Sequence, residues 1–483
     1  MTRRLFGTDG MRAVFGTPPL DRPTVQAVGY WFARLSGEGA RPIILGGDTR
    51  GSRTEIAGWL AAAIRAAGRD VRSAGVVPTP AVAWLVTELG AAGGVVVSAS
   101  HNPYTDNGVK LIGADGFKVD PSIEQAIEDR IGWVRGSSDP LPPKAAGKRR
   151  PKADHQHGRS APAALHDEPE LADRYLEHLT ASLPPDQPLA GLRIAVDAAN
   201  GAGAPYAGRL FAGLGADCAV TCDQPDGRNI NRDCGSTCTE RIAAFTRATG
   251  SDLGVALDGD ADRALLCDHR GRICDGDILL YVWATHLAAR GELPGRRIVA
   301  TTMSNMGLEK ALEAAKVDVV RCGVGDREVV EVMRREGVRL GGEQSGHLVD
   351  LELGATGDGL LTAAAVAAIV AASGRTLADL AAGFGRFPQT LRNVKVREKQ
   401  PLESVPGLSE AVASVERELG TSGRVLLRYS GTEPLARVMI EGPDQKRIEE
   451  LCSRIATVLE AELGLHGTTV PRAPARPEGC GRC

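Results

Sequence analysis

Short apolar runs alternate with longer amphipathic runs up to about residue 130, and this alternation constrains the fold more than any other feature. Residues 42–46 (PIILG) and 94–98 (GVVVS) are typical of buried strands, whereas residues 54–67 have the spacing of an amphipathic helix. The alternation returns with strands predicted at residues 192–197, 253–257 and 298–301. It predicts mixed or parallel sheets that are covered by helices on both faces.

The length of 483 residues indicates three or four domains, at about 100–200 residues per domain. Three α/β blocks of similar size are followed by a smaller α+β block with a strand at residues 425–428 and a helix at residues 445–463. The predicted domains are 1–168 (with a flexible insertion at 135–164), 169–268, 269–383 and 384–467, followed by a disordered tail at 468–483. A regulatory or nucleic-acid-binding arm is the alternative interpretation of the basic insertion.

The composition excludes several classes of partner. A net charge of −3 gives no reason to expect nucleic acid or an anionic membrane. The sequence has no run of about 18 apolar residues and no apolar segment after the N-terminal Arg pair, so neither a membrane span nor a secretory signal is expected. The ten cysteines are interpreted as reduced thiols of a cytoplasmic protein.

The first candidate site is the turn at residues 98–103 (SASHNP), which directly follows a valine-rich strand. Open α/β sheets bind their ligands at the carboxyl ends of strands, so Ser100 is a candidate nucleophile. His101 and Lys110 could move protons to and from it. A capped turn is the structural alternative, and a Ser-His-Asp hydrolase is disfavoured because no Gly-x-Ser-x-Gly motif surrounds Ser100.

The second candidate site is the acidic segment 258–263 (DGDADR). Asp258, Asp260 and Asp262 can turn toward one ion, and hard carboxylate oxygens suit Mg²⁺. An EF-hand is excluded because the loop lacks Gly at position 6 and Glu at position 12. A solvated acidic turn is the alternative.

Two further segments carry groups that suit a sugar phosphate. Residues 341–347 (GGEQSGH) offer Glu343 and Ser345 for sugar hydroxyls, although a plain glycine-rich turn has the same pattern. Residues 428–434 (RYSGTEP) combine hydroxyls and backbone amides with guanidinium groups, as a phosphate-binding loop does. The predicted phosphate ligands are Arg428, Ser430, Gly431, Thr432 and Arg437.

Together the four segments resemble the α-D-phosphohexomutase superfamily, over the chain from Phe6 to about Leu463. Several segments are similar to its glucosamine branch: residues 6–12 (FGTDGMR), 225–231 (PDGRNIN), 234–237 (CGST) and 304–309 (SNMGLE), together with Gln344, where the mannose/glucose branch usually has Met. The chain departs from the family pattern at Ala13, Ala261 and Tyr429, and none of these changes removes a ligand.

The resemblance implies four domains around a central cleft and a phosphorylated Ser100. The expected reaction interconverts glucosamine 6-phosphate and glucosamine 1-phosphate through the 1,6-bisphosphate, supplying UDP-N-acetylglucosamine synthesis. It further implies one Mg²⁺ per subunit, a sugar 1,6-bisphosphate as activator, a sugar-phosphate partner and a possible homodimer. The implied roles are metal ligation by Ser100 with Asp258, Asp260 and Asp262, electrostatic support by Arg12 and Arg263, acid/base work by Lys110, His101 or His347, and sugar orientation by the loop of Arg327.

Other functions remain open at this stage. The sister phosphomannomutase/phosphoglucomutase activity would use the same groups, and a non-catalytic sugar-phosphate-binding protein would keep Arg428 and Glu343 without needing Ser100. A phosphatase is a further alternative, which a cleft closed to water disfavours. The pairs Cys218 with Cys222 and Cys234 with Cys238 have a spacing that zinc could use, although packing of these thiols is favoured.

Overall fold

The computed structural model describes residues 5–7, 9–132, 165–430 and 434–464. The chain divides into two compact units, of which the first holds residues 1–304 and 308–384 and the second holds residues 305–307 and 385–483. The predicted insertion at 135–164, Gly431, Thr432 and the predicted tail at 468–483 lie outside the described residues. The four predicted domain boundaries stay predictions.

The first sheet of unit 1 has five strands in the order β1-β5-β4-β2-β3. Its strands are β1 (Met11–Val14), β2 (Ile43–Gly47), β3 (Val71–Val76), β4 (Gly93–Val97) and β5 (Asp106–Ile112), and its helices are α1 (Arg22–Leu35), α2 (Arg53–Ala66), α3 (Thr79–Glu88) and α4 (Pro121–Ile131). Strand β2 pairs in parallel with β3 and β4, whereas β5 runs antiparallel to β4 and β1. This is the mixed sheet that the alternating pattern predicts.

The second sheet of unit 1 has the order β10-β9-β8-β6-β7 and repeats the parallel centre with an antiparallel edge. Its elements are α5 (Pro169–Ala181), β6 (Arg193–Asp197), α6 (Ala204–Gly213), β7 (Asp217–Thr221), α7 (Thr239–Thr249), β8 (Leu253–Leu257), β9 (Ala264–Asp268) and β10 (Ile273–Cys274). Because β8 is buried on both faces, its sequence reads as a continuous apolar run, and its predicted bounds agree with the structure.

The third sheet has four strands in the order β12-β11-β13-β14. The elements of this part of the chain are α8 (Gly276–Arg290), β11 (Arg297–Thr301), α9 (Met306–Glu313), β12 (Asp318–Cys322), α10 (Asp326–Glu336), β13 (Leu340–Gly342), β14 (Leu348–Asp350), α11 (Gly359–Ser373) and α12 (Leu377–Leu380). Strands β11, β12 and β13 are parallel, and β14 returns antiparallel to β13.

Unit 2 is a smaller α+β body with a three-stranded antiparallel sheet in the order β15-β17-β16. Its elements are β15 (Gln389–Lys395), α13 (Leu408–Leu419), β16 (Arg424–Tyr429), β17 (Leu435–Glu441) and α14 (Gln445–Leu463). Helix α14 buries Ile448, Leu451, Ile455 and Leu459, which recur at three- and four-residue spacing and therefore lie on one face. That face packs in the core of unit 2, as the sequence predicts for this helix.

One hydrophobic core runs through all three sheets of unit 1, from Ile44 to Leu377. Helix α5 joins the first two layers, since it packs against α3 and α6, and the ring of Tyr175 meets that of Tyr206 edge to face at 5.7 Å. The shared core holds the carboxyl ends of β4 and β8 in a fixed relation. Two loops that carry chemistry follow these strand ends.

No single helix in the described part of the chain is long and apolar enough to cross a membrane. The consecutive segments Gly359–Ser373 and Leu377–Gly383, bent by 92° at their break, reach that length and composition only as a pair. The predicted cytoplasmic location stays a prediction.

Candidate active site

Ser100 lies in the turn that follows β4, with its backbone in the left-handed region at φ +51°. Its amide donates to Ser98 Oγ at 2.9 Å, which holds the turn closed. The Ser100 hydroxyl points at the second sheet, where it donates to Asp258 Oδ2 at 2.6 Å. The structure therefore brings the predicted nucleophile to the predicted metal loop across 158 residues of sequence.

The Ser100 turn is fixed by two side chains from other segments. Arg50 Nη2 donates to the Ser100 carbonyl at 3.1 Å and also to the Asn102 carbonyl, while its other end pairs with Asp48. Asn231 Nδ2 donates to the same two carbonyls at 2.8 and 3.1 Å. No role for Arg50 or Asn231 was predicted from the sequence. Asp48 directly follows β2, so the rule that ligands gather at strand ends could have found it.

The metal loop follows β8 in the same way. Asp258 and Asp260 are fully buried and Asp262 nearly so, and the carboxylate oxygens of all three lie within 4.8 Å of one another. Burial, together with the charges of Asp262 and Asp260, raises the pKa of Asp258 well above its ordinary value. Gly259 makes the close approach possible, because a Cβ there would lie 2.5 Å from the Ser100 carbonyl oxygen.

Lys110 lies at the centre of this acidic cluster and is 1% exposed. Its Nζ lies 2.8 Å from Asp260 Oδ2, 3.3 Å from Asp262 Oδ2 and 3.2 Å from Asp9 Oδ2. Burial opposes the charge of Lys110, but these carboxylates outweigh it and hold its pKa well above the ordinary value. Lys110 is therefore a fixed cation, which makes it a poor proton acceptor.

The carboxylates fit a hard divalent cation. The Oδ1 atoms of Asp260 and Asp262 are buried and have no hydrogen-bond partner among the described residues, whereas the Oδ2 atoms face Lys110. Buried carboxylate oxygens without a partner are costly unless a cation or proton meets them. These two oxygens, with a carboxylate oxygen of Asp258 that accepts from the Ser100 hydroxyl, suit Mg²⁺, which takes oxygen ligands and is often shared with phosphate.

Two guanidinium groups flank the Ser100 turn. Arg263 Nε lies 3.7 Å from Asp262 Oδ1, and Arg12 pairs with Asp9. Desolvation and the charges of Arg263 and Arg12 together lower the pKa of His101. His101 is exposed and its Nδ1 lies 3.4 Å from Ser100 Oγ, so the neutral ring stands where a proton acceptor is needed.

Lys118 is a further cation near this site, and no motif in the sequence indicated it. Lys118 pairs with both Asp9 and Asp326, so it links the first sheet to the helix α10 of the third. The neighbouring Arg327 pairs with Glu124 through two hydrogen bonds of 3.2 and 2.9 Å. The structure thus gives Arg327, a predicted sugar ligand, a protein carboxylate as its partner.

In the 341–347 segment, the residue that contacts the acidic cluster is His347, at the end of the segment. His347 is buried, its Nδ1 lies 3.8 Å from Asp262 Oδ2, and its Nε2 accepts from the Gly357 amide at 3.1 Å. Glu343 Oε1 accepts from the Gly325 amide at 3.0 Å, and Ser345 Oγ lies 3.5 Å from Glu343 Oε2. Both ring nitrogens of His347 are therefore engaged inside the protein, whereas Glu343 and Ser345 remain half-buried.

In unit 2 the predicted phosphate ligands gather at one end of β16 and β17. Arg428 and Arg437 are directly opposite each other on the two strands. Burial and the charge of Arg437 lower the pKa of Arg428, as expected for two cations held together. Ser430 is buried, and Lys399 Nζ donates to its carbonyl at 2.5 Å. Arg437 Nη2 donates to Ser430 Oγ at 3.4 Å, and two guanidinium groups with a hydroxyl at the strand ends suit an anion such as phosphate.

Comparison with known proteins identifies the family. Four family models of phosphoglucomutase/phosphomannomutase match in chain order: the α/β/α domains I (residues 3–133), II (173–271) and III (275–387), and the C-terminal domain (391–458). A phosphoglucosamine mutase of Solibacter usitatus is 42% identical over 466 residues, covering 96% of this chain and 100% of that protein. The chain belongs to the phosphoglucosamine mutase family. A phosphoglucosamine mutase of Alkalilimnicola ehrlichii is 42% identical over 474 residues, covering 98% of this chain and 100% of that one.

Solved structures confirm the fold expected for a member of the phosphoglucosamine mutase family. A phosphoglucomutase/phosphomannomutase family protein of Burkholderia thailandensis matches with a TM-score of 0.73 at 23% identity, covering 96% of this chain and 98% of that chain. The N-acetylphosphoglucosamine mutase of Aspergillus fumigatus, solved with GlcNAc-6P and magnesium, matches with a TM-score of 0.64 at 20% identity, covering 96% of each chain. The predicted four-domain α/β architecture is confirmed.

Proposed function

We propose that this protein interconverts glucosamine 6-phosphate and glucosamine 1-phosphate through phosphorylated Ser100 and a glucosamine 1,6-bisphosphate intermediate. The observation that carries the proposal is the 2.6 Å contact from Ser100 Oγ to Asp258 Oδ2. It places a nucleophile against three buried carboxylates, in a chain of the phosphoglucosamine mutase family. Neither a simple binding protein nor a structural protein needs that arrangement.

Proton transfer is required at two oxygens in this reaction. The sugar hydroxyl must lose a proton when it attacks phosphoserine, and Ser100 Oγ must regain one as it leaves. His101 is the proposed acceptor on the accessible side, because its lowered pKa keeps the ring neutral near pH 7. His101 is also the proposed donor that returns the proton to Ser100 Oγ, because its Nδ1 lies 3.4 Å from that oxygen. Lys110 and His347 are less suited, since their polar atoms are committed to buried carboxylates.

Charge on the transferred phosphoryl group is the second requirement. Arg12 and Arg263, whose charges act on the neighbouring His101, are proposed to hold the equatorial oxygens of the transferred group. Asp258, Asp260 and Asp262, with the phosphorylated Ser100, are the proposed ligands of one Mg²⁺ per subunit. When bound, Mg²⁺ neutralises charge on the group in flight during in-line displacement.

Recognition of the sugar is assigned to the remaining predicted residues. Glu343 and Ser345 are half-buried acceptor and donor groups, as sugar hydroxyls require. In unit 2, Arg428, Arg437 and Ser430, with the neighbouring Gly431 and Thr432, are proposed to bind the phosphate that is not being transferred. Arg327 is proposed to exchange Glu124 for the substrate when the sugar binds, since its fork-shaped group already makes a two-point contact.

The test is isomerisation of glucosamine 6-phosphate, glucose 6-phosphate and mannose 6-phosphate with Mg²⁺ and a trace of sugar 1,6-bisphosphate as activator. We expect kcat/KM to favour glucosamine by at least about tenfold, which is about 1.4 kcal/mol in the transition state. We expect Ser100→Ala to abolish turnover and ³²P incorporation, and Ser453→Ala on the half-buried side of α14 to change neither. A preference for glucose or mannose would assign the sister activity, and turnover by Ser100→Ala would contradict the phosphoserine mechanism.

The predicted homodimer, the cytoplasmic location and the link to UDP-N-acetylglucosamine synthesis stay predictions. Sedimentation of the purified chain tests the first. Loss of UDP-N-acetylglucosamine in cells depleted of the protein tests the last.

A further inference from the structure

Two cysteines that lie 12 residues apart in sequence, Cys222 and Cys234, meet in the structure. The sulfur atoms of Cys222 and Cys234 and a carboxylate oxygen of Asp197 lie within 4.8 Å of one another. Both cysteines are free thiols. The structure therefore pairs Cys222 with Cys234, not with Cys218 or Cys238 as the sequence spacing would suggest for zinc.

The two thiols differ in access. Cys222 is partly exposed at the end of β7, whereas Cys234 is fully buried. The hydrogen bond from Cys234 holds the pKa of Cys222 below its ordinary value, and the same contact with burial raises the pKa of Cys234. An accessible thiol with a lowered pKa beside a buried partner has the arrangement of an attacking and a resolving cysteine.

The loop between the two cysteines, residues 222–234, contacts the nucleophile turn. Asn231, three residues before Cys234, is the side chain that donates to the Ser100 carbonyl at 2.8 Å. At the same loop, the Gly51 amide donates to the Gly227 carbonyl at 3.0 Å, next to the Arg50 that holds the Ser100 turn. A change at the ends of the 222–234 loop therefore reaches the position of Ser100.

We propose that Cys222 and Cys234 are a thiol modification site, where exchange with a low-molecular-weight disulfide forms an intramolecular disulfide that slows catalysis. The Cys222 thiolate attacks one sulfur of the small disulfide and releases one small thiol, leaving a mixed disulfide on Cys222. Cys234 then attacks the Cys222 sulfur, and its proton passes to the departing small thiolate, which leaves as the second small thiol. Two protein thiols are oxidised and one small disulfide is reduced to two thiols, so atoms and electrons balance.

The disulfide slows catalysis because the sulfur atoms must approach to about 2.05 Å. This contraction draws in both ends of the 222–234 loop and displaces Asn231 from the Ser100 carbonyl. Misplacing a reacting group by about 1 Å can cost up to about a hundredfold in rate, so we expect a loss of about tenfold for a partial shift. The predicted loss of mutase activity rests on the proposed function, whereas formation of the Cys222–Cys234 disulfide does not.

A metal site is the competing assignment for the same three side chains. Asp197 is less suited as a ligand because its Oδ1 and Oδ2 already accept from the amides of Ala199 and Gly235, at 3.0 and 2.9 Å. Zinc sites need a closed set of four ligands or three with an open position. The partly exposed Cys222 and committed Asp197 favour the redox assignment.

The experiment equilibrates the full-length reduced enzyme with glutathione buffers of rising oxidised fraction, traps thiols with an alkylating agent at low pH, and maps peptides by mass. We expect a Cys222–Cys234 linked peptide that appears in step with the loss of turnover, and both reverse with dithiothreitol. Cys222→Ser should keep its activity under oxidation, Cys234→Ser should accumulate glutathione on Cys222, and the neighbouring Cys218→Ser should behave as wild type.

Three outcomes would overturn the proposal. One is the absence of the linked peptide in the most oxidising buffer, and another is equal loss of turnover in oxidised Cys222→Ser. The third is one equivalent of Zn²⁺ bound by the reduced chain and lost in Cys222→Ser, which would assign a metal site. If the enzyme has no mutase activity but the linked peptide forms, the proposed function fails and the modification site stands.

Discussion

Gly259→Ala tests whether the metal loop and the Ser100 turn depend on close backbone contact. An added Cβ would lie 2.5 Å from the Ser100 carbonyl oxygen, 2.8 Å from Asn231 Nδ2 and 3.0 Å from Ile230 Cδ1. Ordinary contact needs about 3.5 Å, so the two loops must separate by about 1 Å. Two of these three atoms hold the nucleophile turn, so the separation moves Ser100 relative to Asp258.

A displacement of about 1 Å in reacting groups lowers kcat by about a hundredfold. Because the shift acts on the reacting atoms, we expect kcat to fall far more than KM rises. Turnover of glucosamine 6-phosphate gives both constants. Thermal unfolding of the same sample reports whether the variant is folded, and we expect the melting temperature to fall by a few degrees because overpacking costs about 1–3 kcal/mol.

Gly58→Ala is the matched control. Gly58 lies in α2, where an added Cβ would have no heavy atom within 4 Å, so the same methyl group meets open space. Alanine favours a helix over glycine by about 0.5–1 kcal/mol, so this variant should be slightly stabilised with unchanged kcat. If folded Gly259→Ala keeps wild-type kcat, the close contact does not position Ser100 and the reasoning is wrong.

Three further predictions follow from buried or paired charges. Removal of divalent cations with EDTA should abolish isomerisation, and added Mg²⁺ should restore it; persistence of the full rate after EDTA would contradict the metal assignment. Burial raises the pKa of Asp358 to about 6, so its carboxyl contributes stability that is complete below about pH 4 and is lost as pH rises through about 6, at most about 3 kcal/mol. Asp358→Asn keeps only one of the two oxygens that accept from the Tyr175 hydroxyl and the Leu361 amide, so it lowers the melting temperature by an amount that does not depend on pH. Because asparagine does not titrate, its melting temperature should nevertheless rise relative to that of wild type between pH 4 and about pH 7, and a constant difference would refute this. Arg428→Lys should raise KM by about tenfold with little change in kcat, because lysine lacks the two-point fork, and an unchanged KM would remove Arg428 from the phosphate site.

Local pattern predicted the strands and helices well because each is bounded by its own turn residues. The strand β8 and the helix α14 have the predicted ends, and the predicted strand at residues 94–98 differs from β4 by one residue at each end. In each case the element is recognised from a continuous apolar run or from a regularly spaced apolar face, and both patterns involve only residues that are close in sequence. Burial in a parallel layer and an amphipathic face are both local signals.

The partners of the site residues could not be predicted in the same way. Two of these contacts join segments about 200 residues apart: that of Lys118 with Asp326 and that of Arg327 with Glu124. No motif spacing in the sequence predicts either contact. The same limit applies to Cys222 and Cys234, whose proximity the spacing of the cysteines in sequence does not predict. The predicted strand ends indicated which residues lie at the site. Which of these residues form ion pairs or hydrogen bonds with each other depends on the fold.

The Asp loop shows how a buried cation and a metal can share one set of carboxylates. Lys110 takes the Oδ2 edge of Asp260 and Asp262, and their Oδ1 atoms are left buried without a hydrogen bond in the described structure. A lysine placed between the Oδ1 and Oδ2 atoms would compete with a metal for both sets of oxygens. A lysine that contacts only the Oδ2 atoms leaves the Oδ1 atoms to a metal. The bonds from Lys110 to the Oδ2 atoms therefore leave the Oδ1 atoms to the proposed divalent cation, and the charge of the lysine reduces the repulsion between the carboxylates.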